Sequence, residues 1–238
     1  MRIASSQPTF LSYPGYFGLI DFVDKFVVMD NIQFASRSWQ QRVLIQINNE
    51  TKFLTLPVLK KQKQKQLIYD AIIDNSTNYI KKHLMTIKHS YSKTKFFDKY
   101  YPEIELIYNK KYNKLIDLNL TFIFFFLKNL KINENKIIKL SDLEINKNVK
   151  KDKLIYEICI ALKANKYIST IGAKKYLEEN KKLNDSFQIQ YFDYHQNKRD
   201  LSDYNKKKYH LSIIDLLFNY GDKTKEIIRS QFCIIDNF

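Results

Sequence analysis

The 238-residue sequence has few residues that bend or cross-link a backbone: 4 glycines, 4 prolines, 2 cysteines and 1 tryptophan. So few glycines and prolines exclude collagen-like and low-complexity chains, and two cysteines exclude a disulfide-rich secreted scaffold. Cys159 and Cys233 lie far apart without metal-ligand spacing. We therefore expect both to be buried, reduced thiols, and we predict no metal site.

Long hydrophobic runs are also missing. The most apolar stretch, Leu118 to Leu130, is interrupted by Asn119 and Thr121, and a membrane span needs about 20 apolar residues. It is therefore predicted to be a buried helix. Polar residues follow the first methionine almost at once, so no signal peptide is expected and the predicted location is the cytoplasm.

Several motifs that carry well-defined chemistry are absent. The sequence contains no P-loop, GxGxxG, CxxC, HExxH or GxSxG. Their absence argues against a Walker-type ATPase, a dinucleotide cofactor, structural zinc and a serine hydrolase.

The composition is that of a folded and strongly basic chain. Hydrophobic residues make up 45% and aromatic residues 15%, while the formal net charge is +15. This charge has two interpretations, a solvated lysine surface or a phosphate-rich partner such as a sugar nucleotide or RNA. Lysines greatly outnumber arginines, which weakens the case for bidentate phosphate recognition.

The scarce residue types gather in one segment, from Ile3 to Ile45. It holds two of the four glycines, two of the four prolines and the single tryptophan. Its pattern predicts a strand, a shaped loop, a helix from Tyr16 to Phe26 and a second strand ending at Asp30. Because ligands of open α/β sheets bind at the carboxyl ends of strands, Gln7 and Asp30 are expected to flank a site.

The rest of the chain alternates strand-like and helix-like segments, which predicts an α/β fold with a mixed, largely parallel sheet flanked by helices and an N-terminal β-hairpin insertion. We expect one domain over residues 1–238, with 1–75 forming the site and 76–238 the helical and α/β remainder. The predicted segments are a hairpin over 42–58 that turns at Asn48-Asn49, a charged loop over 60–66, strands over 67–73, 137–140, 166–170 and 187–191, helices over 76–93, 102–130, 154–162, 173–179 and 211–221, and an irregular segment over 192–209.

A set of unusual residues runs in order along nearly the whole chain: Gln7-Pro8, Tyr13 to Phe17, Asp24, Asp30, Gln33, Arg37, Trp39, Arg42, His83, His89, Tyr91, Phe97, Pro102, Tyr167 and Leu211 to Asn219. Their order resembles that of the WbqC-like protein family. Two positions depart from the family pattern: Gln40-Gln41 stands where members often have an asparagine between the tryptophan and the arginine, and Tyr13 stands where a tryptophan is expected.

The resemblance implies an enzyme of surface-polysaccharide (O-antigen type) biosynthesis. The expected reaction transfers an amino acid such as glycine to the amine of a nucleotide-linked 4-amino-4,6-dideoxy sugar. No cofactor is certain, but the acyl donor must arrive activated, as an aminoacyl-tRNA, a thioester or an ATP-derived adenylate. The expected partners are the nucleotide-linked amino sugar and, for the first of these donors, tRNA; the sugar, the donor and the oligomeric state stay open.

Such a transfer needs a base, donors for an oxyanion and a grip on phosphate. His83 is a candidate base because histidine titrates near neutral pH, and Asp30 is a candidate base or ribose acceptor. Arg37 and Arg42 bracket Trp39 and are candidates for a pyrophosphate clamp with a stacking indole. The full set of predicted substrate-binding residues is Gln7, Tyr13, Gly15, Tyr16, Gln33, Arg37, Trp39, Arg42, His89, Ser212 and Asp215.

Each of these residues also has a purely structural interpretation. His83 and His89 share a predicted helix but lie on different faces, since six residues turn through about 600°, and both are open to packing or surface roles. Asp30 is equally a turn residue, Trp39 a core anchor, and Ser212 with Asp215 a helix cap.

Two other functions compete with the transferase. An RNA-binding module is motivated by the net charge of +15 and the interspersed Tyr and Phe residues. A non-catalytic assembly factor for glycan enzymes is the second alternative.

Overall fold

A computed structural model describes residues 1–48, 50–59, 66–146, 148–178, 181–195 and 211–236. Asn49 of the predicted turn, most of the charged loop and most of the predicted irregular segment lie outside these ranges. The described strands and helices are β1 (Arg2–Ser6), α1 (Pro14–Phe22), β2 (Lys25–Val28), β3 (Arg42–Ile47), β4 (Glu50–Thr55), α2 (Tyr79–Tyr91), α3 (Phe97–Asn109), α4 (Leu115–Asn129), β5 (Ile137–Lys139), α5 (Asp152–Ala161), β6 (Lys166–Thr170), α6 (Lys174–Glu178), α7 (Lys181–Ser186), β7 (Gln188–Tyr194), α8 (Ile213–Tyr220), α9 (Thr224–Arg229) and β8 (Phe232–Asp236).

The centre of the fold is a six-stranded sheet in the order β5-β2-β1-β6-β7-β8. The first five of these strands are parallel, and β8 is antiparallel to β7. The chain leaves β1 towards β2 on one side and leaves β6 towards β7 on the other, which is the arrangement of a doubly wound sheet. The predicted mixed, largely parallel sheet is confirmed.

Helices cover both faces of this sheet because its strands alternate apolar residues between two cores. Phe26 and Val28 of β2 belong to the larger core, which contains residues of α1, α2, α3, α4 and α8. Val27, between them, faces the second core with Ile155 and Ile158 of α5. A strand buried on both faces reads as a continuous apolar run, as β2 does in the sequence.

The predicted hairpin is also confirmed, as a separate two-stranded sheet. β3 and β4 pair antiparallel from Arg42 opposite Thr55 to Ile47 opposite Glu50. Asn48 lies between the strands with a positive φ of 53°, a backbone conformation that asparagine tolerates. The hairpin is joined to the main body through Leu44, which forms an isolated bridge with Leu211.

Other predicted segments differ from the structure. The helix predicted to reach Phe26 ends at Phe22. In the turn that follows, the Asp24 carboxylate accepts hydrogen bonds from the backbone N–H and the side chain of Arg2. The predicted strand over 67–73 is wrong at Ile68–Asp70, which form a 3₁₀ turn between isolated bridges.

The C-terminal part contains more regular structure than its sequence pattern indicates. β7 continues to Tyr194, three residues into the segment predicted to be irregular, and α9 and β8 were not predicted. Cys159 is buried, and burial raises the pKa of its thiol to about 12. The expectation of a second buried thiol is wrong, because Cys233 is exposed on β8, the strand at the sheet edge.

The apolar run at residues 118–130 forms most of α4, which is a buried helix as predicted. Among the described residues, no helix combines the length and apolar character that crossing a bilayer requires.

Candidate functional site

The carboxyl ends of β1 and β6 lie side by side where the winding of the sheet reverses. In doubly wound sheets this position opens a crevice in which ligands bind. Gln7 follows β1 directly and is exposed, while Thr170 ends β6. Below this edge the Ser5 hydroxyl and the Tyr167 hydroxyl are 2.8 Å apart, which ties the two strands together through their side chains.

Three amide side chains, Gln7, Gln40 and Asn119, form a network beneath this edge. Gln40 is fully buried, and its Nε2 donates to Gln7 Oε1 at 2.7 Å. Asn119 of α4, also fully buried, donates to the Gln40 backbone carbonyl at 2.9 Å and to the Pro8 carbonyl at 3.4 Å. This amide network fixes the segment after β1 to the segment before β3.

The same junction carries an exposed stacking surface, formed by Trp39, Arg42 and Phe53. The Trp39 and Phe53 side chains are 43% and 45% exposed, with ring centroids 6.1 Å apart. The Arg42 guanidinium lies over the Phe53 ring, 4.2 Å from its centroid. Trp39 is therefore a surface residue and the core-anchor interpretation is wrong.

This surface is held against the loop after β1 by the backbone. The Phe10 N–H donates to the Trp39 carbonyl at 2.9 Å, and the neighbouring Gln40 holds Gln7 through the amide network. Aromatic rings and an arginine that are exposed but anchored in this way suit the stacking of a planar ligand next to a cationic group.

The loop between β2 and β3 contributes two more predicted residues, Gln33 and Arg37, and both are exposed. Arg37 has a positive φ of 60°, and its N–H donates to the buried Gln41 side chain at 3.3 Å. Gln41 Nε2 in turn donates to the Leu56 carbonyl at 3.0 Å. The two adjacent glutamines thus have well-defined structural roles, holding this loop to the sheet edge and to the hairpin.

The start of α1 is tightly packed. Tyr13 precedes it, with its ring 6.0 Å from that of Tyr194, and burial raises the pKa of Tyr13 to about 12. A methyl group at Gly15 would lie 2.7 Å from Tyr194 Cγ and would also meet the Tyr13 ring. Tyr16 is buried, its hydroxyl has no hydrogen-bond partner among the described residues, and burial raises its pKa.

Asp30 lies two residues beyond β2 and is 2% exposed. Its Oδ1 accepts from the Ser141 N–H at 2.9 Å and its Oδ2 from the Ser141 hydroxyl at 2.6 Å. The carboxylate therefore connects the carboxyl ends of β2 and β5, which are neighbours in the sheet. Its predicted role as a base or ribose acceptor stays a prediction.

The two histidines of α2 occupy different environments, as their spacing predicted. His83 is 6% exposed, and its Nδ1 is 3.2 Å from the Tyr108 hydroxyl. Burial lowers the pKa of His83 to about 4, although a hydrogen bond to the Thr55 backbone opposes the change. The ring contacts Phe10 of the loop after β1, with centroids 5.9 Å apart, whereas His89 is exposed on another face of the helix.

Ser212 is the N-cap of α8. Its hydroxyl accepts from the Ile214 N–H at 3.4 Å and donates to the Leu11 carbonyl at 2.7 Å. The Ile213 N–H also donates to the Ser12 carbonyl at 2.9 Å. The start of α8 is therefore fastened to the loop after β1, and Asp215 is buried in its first turn.

The structure groups most of the predicted site residues around this loop. Gln7, Tyr13, Gly15 and Tyr16 belong to it or to the helix that it starts, and His83 and Ser212 contact it. Trp39 and Arg42 lie on the adjoining surface, and Asp30 lies at the end of the neighbouring strand. His89 lies apart from this group.

Two grooves elsewhere on the molecule contain none of the predicted residues in the part of the chain that the structure describes. One, of about 1030 Å³, lies between α3 and α4 and includes Leu106, Phe124 and Lys128. The other, of about 700 Å³, lies where α2 begins and includes Tyr79 and Tyr101.

Sequence reasoning missed three residues that organise the site: Phe53, Asn119 and Ser141. Asn119 could have been found, since a polar residue that interrupts an apolar run has to satisfy its amide inside the core. Phe53 and Ser141 carry no such feature, because their roles arise only when the hairpin and β5 come next to the segments that they contact.

Comparison with known proteins gives three findings. The WbqC-like protein family matches residues 7–227. The chain is 27% identical over 229 residues to the uncharacterized protein Rv1507c of Mycobacterium tuberculosis, covering 96% of this chain and 97% of that protein. No solved structure matches the chain.

Proposed function

Since the chain belongs to the WbqC-like protein family, we propose that it is an enzyme of bacterial surface-glycan biosynthesis that transfers an acyl group, such as that of an amino acid, to the amine of a nucleotide-linked amino sugar. The observation that supports this most directly is the stacking surface of Trp39, Arg42 and Phe53. It is anchored beside the carboxyl ends of β1 and β6, from which the chain continues to opposite sides of the sheet.

In this proposal the stacking surface holds the nucleotide. The Trp39 ring stacks on the base, while Arg42 and Arg37 neutralise the pyrophosphate. Gln7, held in place by Gln40, offers an amide to the sugar at the end of β1. This arrangement directs the amino sugar towards the carboxyl ends of β1 and β6, the position at which doubly wound sheets bind ligands.

The chemistry that follows is an acyl transfer. The sugar amine attacks the carbonyl carbon of the activated donor, a new carbon–nitrogen bond forms, and the bond from that carbon to the leaving group breaks. A base takes the proton of the resulting ammonium. Asp30 and His83 are the proposed groups for this step; burial keeps His83 neutral at pH 7, but its pKa of about 4 makes it a weaker base than an ordinary histidine.

A product assay tests this function. The protein is incubated with deoxythymidine- or uridine-linked 4-amino-4,6-dideoxy sugars and, in parallel, with a glycyl-tRNA, an acyl thioester, or glycine with ATP. Mass spectrometry should show a sugar nucleotide that is heavier by one acyl group with one of these donors. No product with any donor, although the sugar nucleotide binds, would contradict the transferase assignment.

The net charge of +15 makes RNA binding the second function to be tested. An RNA-binding module would bind RNA with a steep, sequence-independent salt dependence and would not bind sugar nucleotides. Our proposal predicts saturable sugar-nucleotide binding that weakens with salt much less steeply than RNA binding would, because only Arg37 and Arg42 face the pyrophosphate. A non-catalytic assembly factor would leave glycan structure unchanged when Asp30→Asn, Arg42→Ala or His83→Ala replaces the wild-type chain, whereas the proposed enzyme would not.

A further inference from the structure

Three side chains that can ligate a metal meet at the outer edge of the sheet. Asp193 lies on β7, His195 follows that strand directly, and Cys233 lies on β8. Their ligating atoms all lie within 4.8 Å of one another. We refer to these three residues as the ligand group.

Strand pairing brings the three residues together. Asp193 and Cys233 are direct partners in the antiparallel ladder, so their side chains project from the same face of the sheet. His195 is two positions beyond Asp193 and shares that face because side chains alternate along a strand. The His195 backbone N–H donates to the Gln231 carbonyl at 2.7 Å, which continues the ladder and fixes the backbone from which the imidazole projects.

The spacing of the atoms suits a small tetrahedral ion. His195 Nε2 lies 3.1 Å from Asp193 Oδ2 and 3.7 Å from Cys233 Sγ. Around zinc, with bonds of about 2.0 Å to nitrogen and oxygen and about 2.3 Å to sulfur, tetrahedral angles place such pairs about 3.3 Å and about 3.5 Å apart. These two pairs are within a few tenths of an ångström of the tetrahedral separations, and the Asp193–Cys233 pair, which lies within 4.8 Å, has to close to about 3.5 Å when the ion binds.

We propose that Asp193, His195 and Cys233 form a Zn²⁺ site with one open coordination position. On binding, the Cys233 thiol gives its proton to the solvent and its sulfur bonds to the metal, while Nε2 of His195 and a carboxylate oxygen of Asp193 supply two further bonds. A thiolate with an imidazole favours zinc over magnesium or calcium, which prefer oxygen ligands. Exposure of His195 and Cys233 gives the ion access from solvent.

The position of the ligand group connects it to the rest of the molecule. It lies at the carboxyl end of β7, which is two strands away from β1 in the sheet. At about 4.8 Å between neighbouring strands, the ligand group is roughly 10 Å across the sheet from the end of β1, where Gln7 lies. Tyr194, between two of the ligands in sequence, packs against Tyr13 at the start of α1. The zinc assignment rests on the ligand group alone and does not depend on the proposed function.

The test uses the full-length chain, freed of metal by chelation and then titrated with Zn²⁺ in competition with a chromophoric chelator. One ion per chain should bind, and Co²⁺ in its place should give the intense near-ultraviolet band of a thiolate–cobalt bond. Asp193→Asn, His195→Ala and Cys233→Ser should each weaken Zn²⁺ binding by at least about tenfold. Cys159→Ser and His89→Ala, which change a cysteine and a histidine elsewhere, should leave it unchanged.

Two results would overturn the assignment. If the wild-type chain gives no cobalt–thiolate band, the three side chains are not a metal site, and they form only a contact between His195 and Asp193 next to a cysteine thiol. Equal Zn²⁺ affinity in the wild-type chain and in a His195→Ala/Cys233→Ser double variant, with unchanged circular dichroism, would place any bound zinc elsewhere.

Discussion

His83 shows how burial changes the chemistry of one side chain. In the folded protein the pKa of this imidazole is about 4, so the ring stays neutral until the pH falls to that value. In an unfolded chain a histidine has a pKa of about 6.5. Below pH 6.5 the unfolded chain therefore carries a proton that the folded chain does not. The resulting loss of stability begins as the pH falls through 6.5 and is complete below about 4.

We therefore predict that wild-type protein loses about 2 kcal/mol more stability than His83→Gln when the pH is lowered from about 7.5 to about 5. Urea unfolding curves at several pH values measure this difference. His89→Gln, a change at an exposed site on the same helix, should keep the wild-type pH dependence. Parallel pH profiles for wild type and His83→Gln would contradict the buried, neutral state of His83.

Gly15 and Gly172 offer a second comparison at the residue scale. A methyl group at Gly15 would collide with Tyr194 and Tyr13, whereas one at Gly172 meets no atom within 4 Å. Gly15→Ala should therefore lower the free energy of unfolding by about 1–3 kcal/mol, as overpacking of a closed core does. Gly172→Ala should change it by less than about 1 kcal/mol. Denaturant midpoints measure both, and equal effects would mean that the start of α1 is not closely packed.

At the scale of elements, the β3–β4 hairpin and the loop before it are held to the sheet by buried amides. Gln40 connects Gln7, the Ala35 N–H and Asn119. Gln40→Ala removes the two hydrogen bonds that this fully buried side chain makes and leaves its volume empty, so we expect a loss of about 2 kcal/mol of stability. Gln33→Ala, at an exposed position of the same loop, should cost less than about 0.5 kcal/mol.

The same variant tests how the hairpin serves the site. If Gln40 positions Gln7 and the stacking surface, Gln40→Ala should weaken sugar-nucleotide binding under conditions in which the protein is folded, and Gln33→Ala should weaken it less. Calorimetric titration measures this binding. Undiminished affinity in folded Gln40→Ala protein would separate the amide network from ligand recognition.

Elements with strong local patterns could be predicted from the sequence. β2 and α4 are runs too apolar for the surface, and α8 ends at Gly221, which adopts a positive φ of 55°. The 3₁₀ turn at Ile68–Asp70 and the strand β8 could not be predicted, because short apolar segments acquire their conformation from the neighbours with which they pair. Pairing between β7 and β8 also explains why the ligand group has no spacing motif: its members meet across a ladder.

The candidate site was predictable to a similar extent. Gln7 and Asp30 were expected at the strand ends, and they are there because both follow parallel strands that are neighbours in the sheet. The contacts of His83 with Phe10 and Tyr108 depend on how α2 and α3 pack against the loop after β1, and nothing in the local sequence specifies that packing.

For the whole molecule, the proposed function depends on ligand binding at the carboxyl edge of the sheet. The single tryptophan is located there, exposed beside Arg42 and Phe53. Its fluorescence therefore reports on this surface alone. Two exposed phenylalanines can be compared as test and control. Phe53 belongs to the stacking surface and is the test position, whereas Phe124 lies in the groove between α3 and α4 and is the control.

The most direct measurement is a fluorescence titration of Trp39 with deoxythymidine- and uridine-linked amino sugars. We predict a saturable change in emission with one of these ligands, weakened at least about tenfold, or about 1.4 kcal/mol, by Arg42→Ala and by Phe53→Ala but unaffected by Phe124→Ala. Emission that stays constant with every sugar nucleotide, in protein shown to be folded, would contradict a binding site at the carboxyl edge of the sheet.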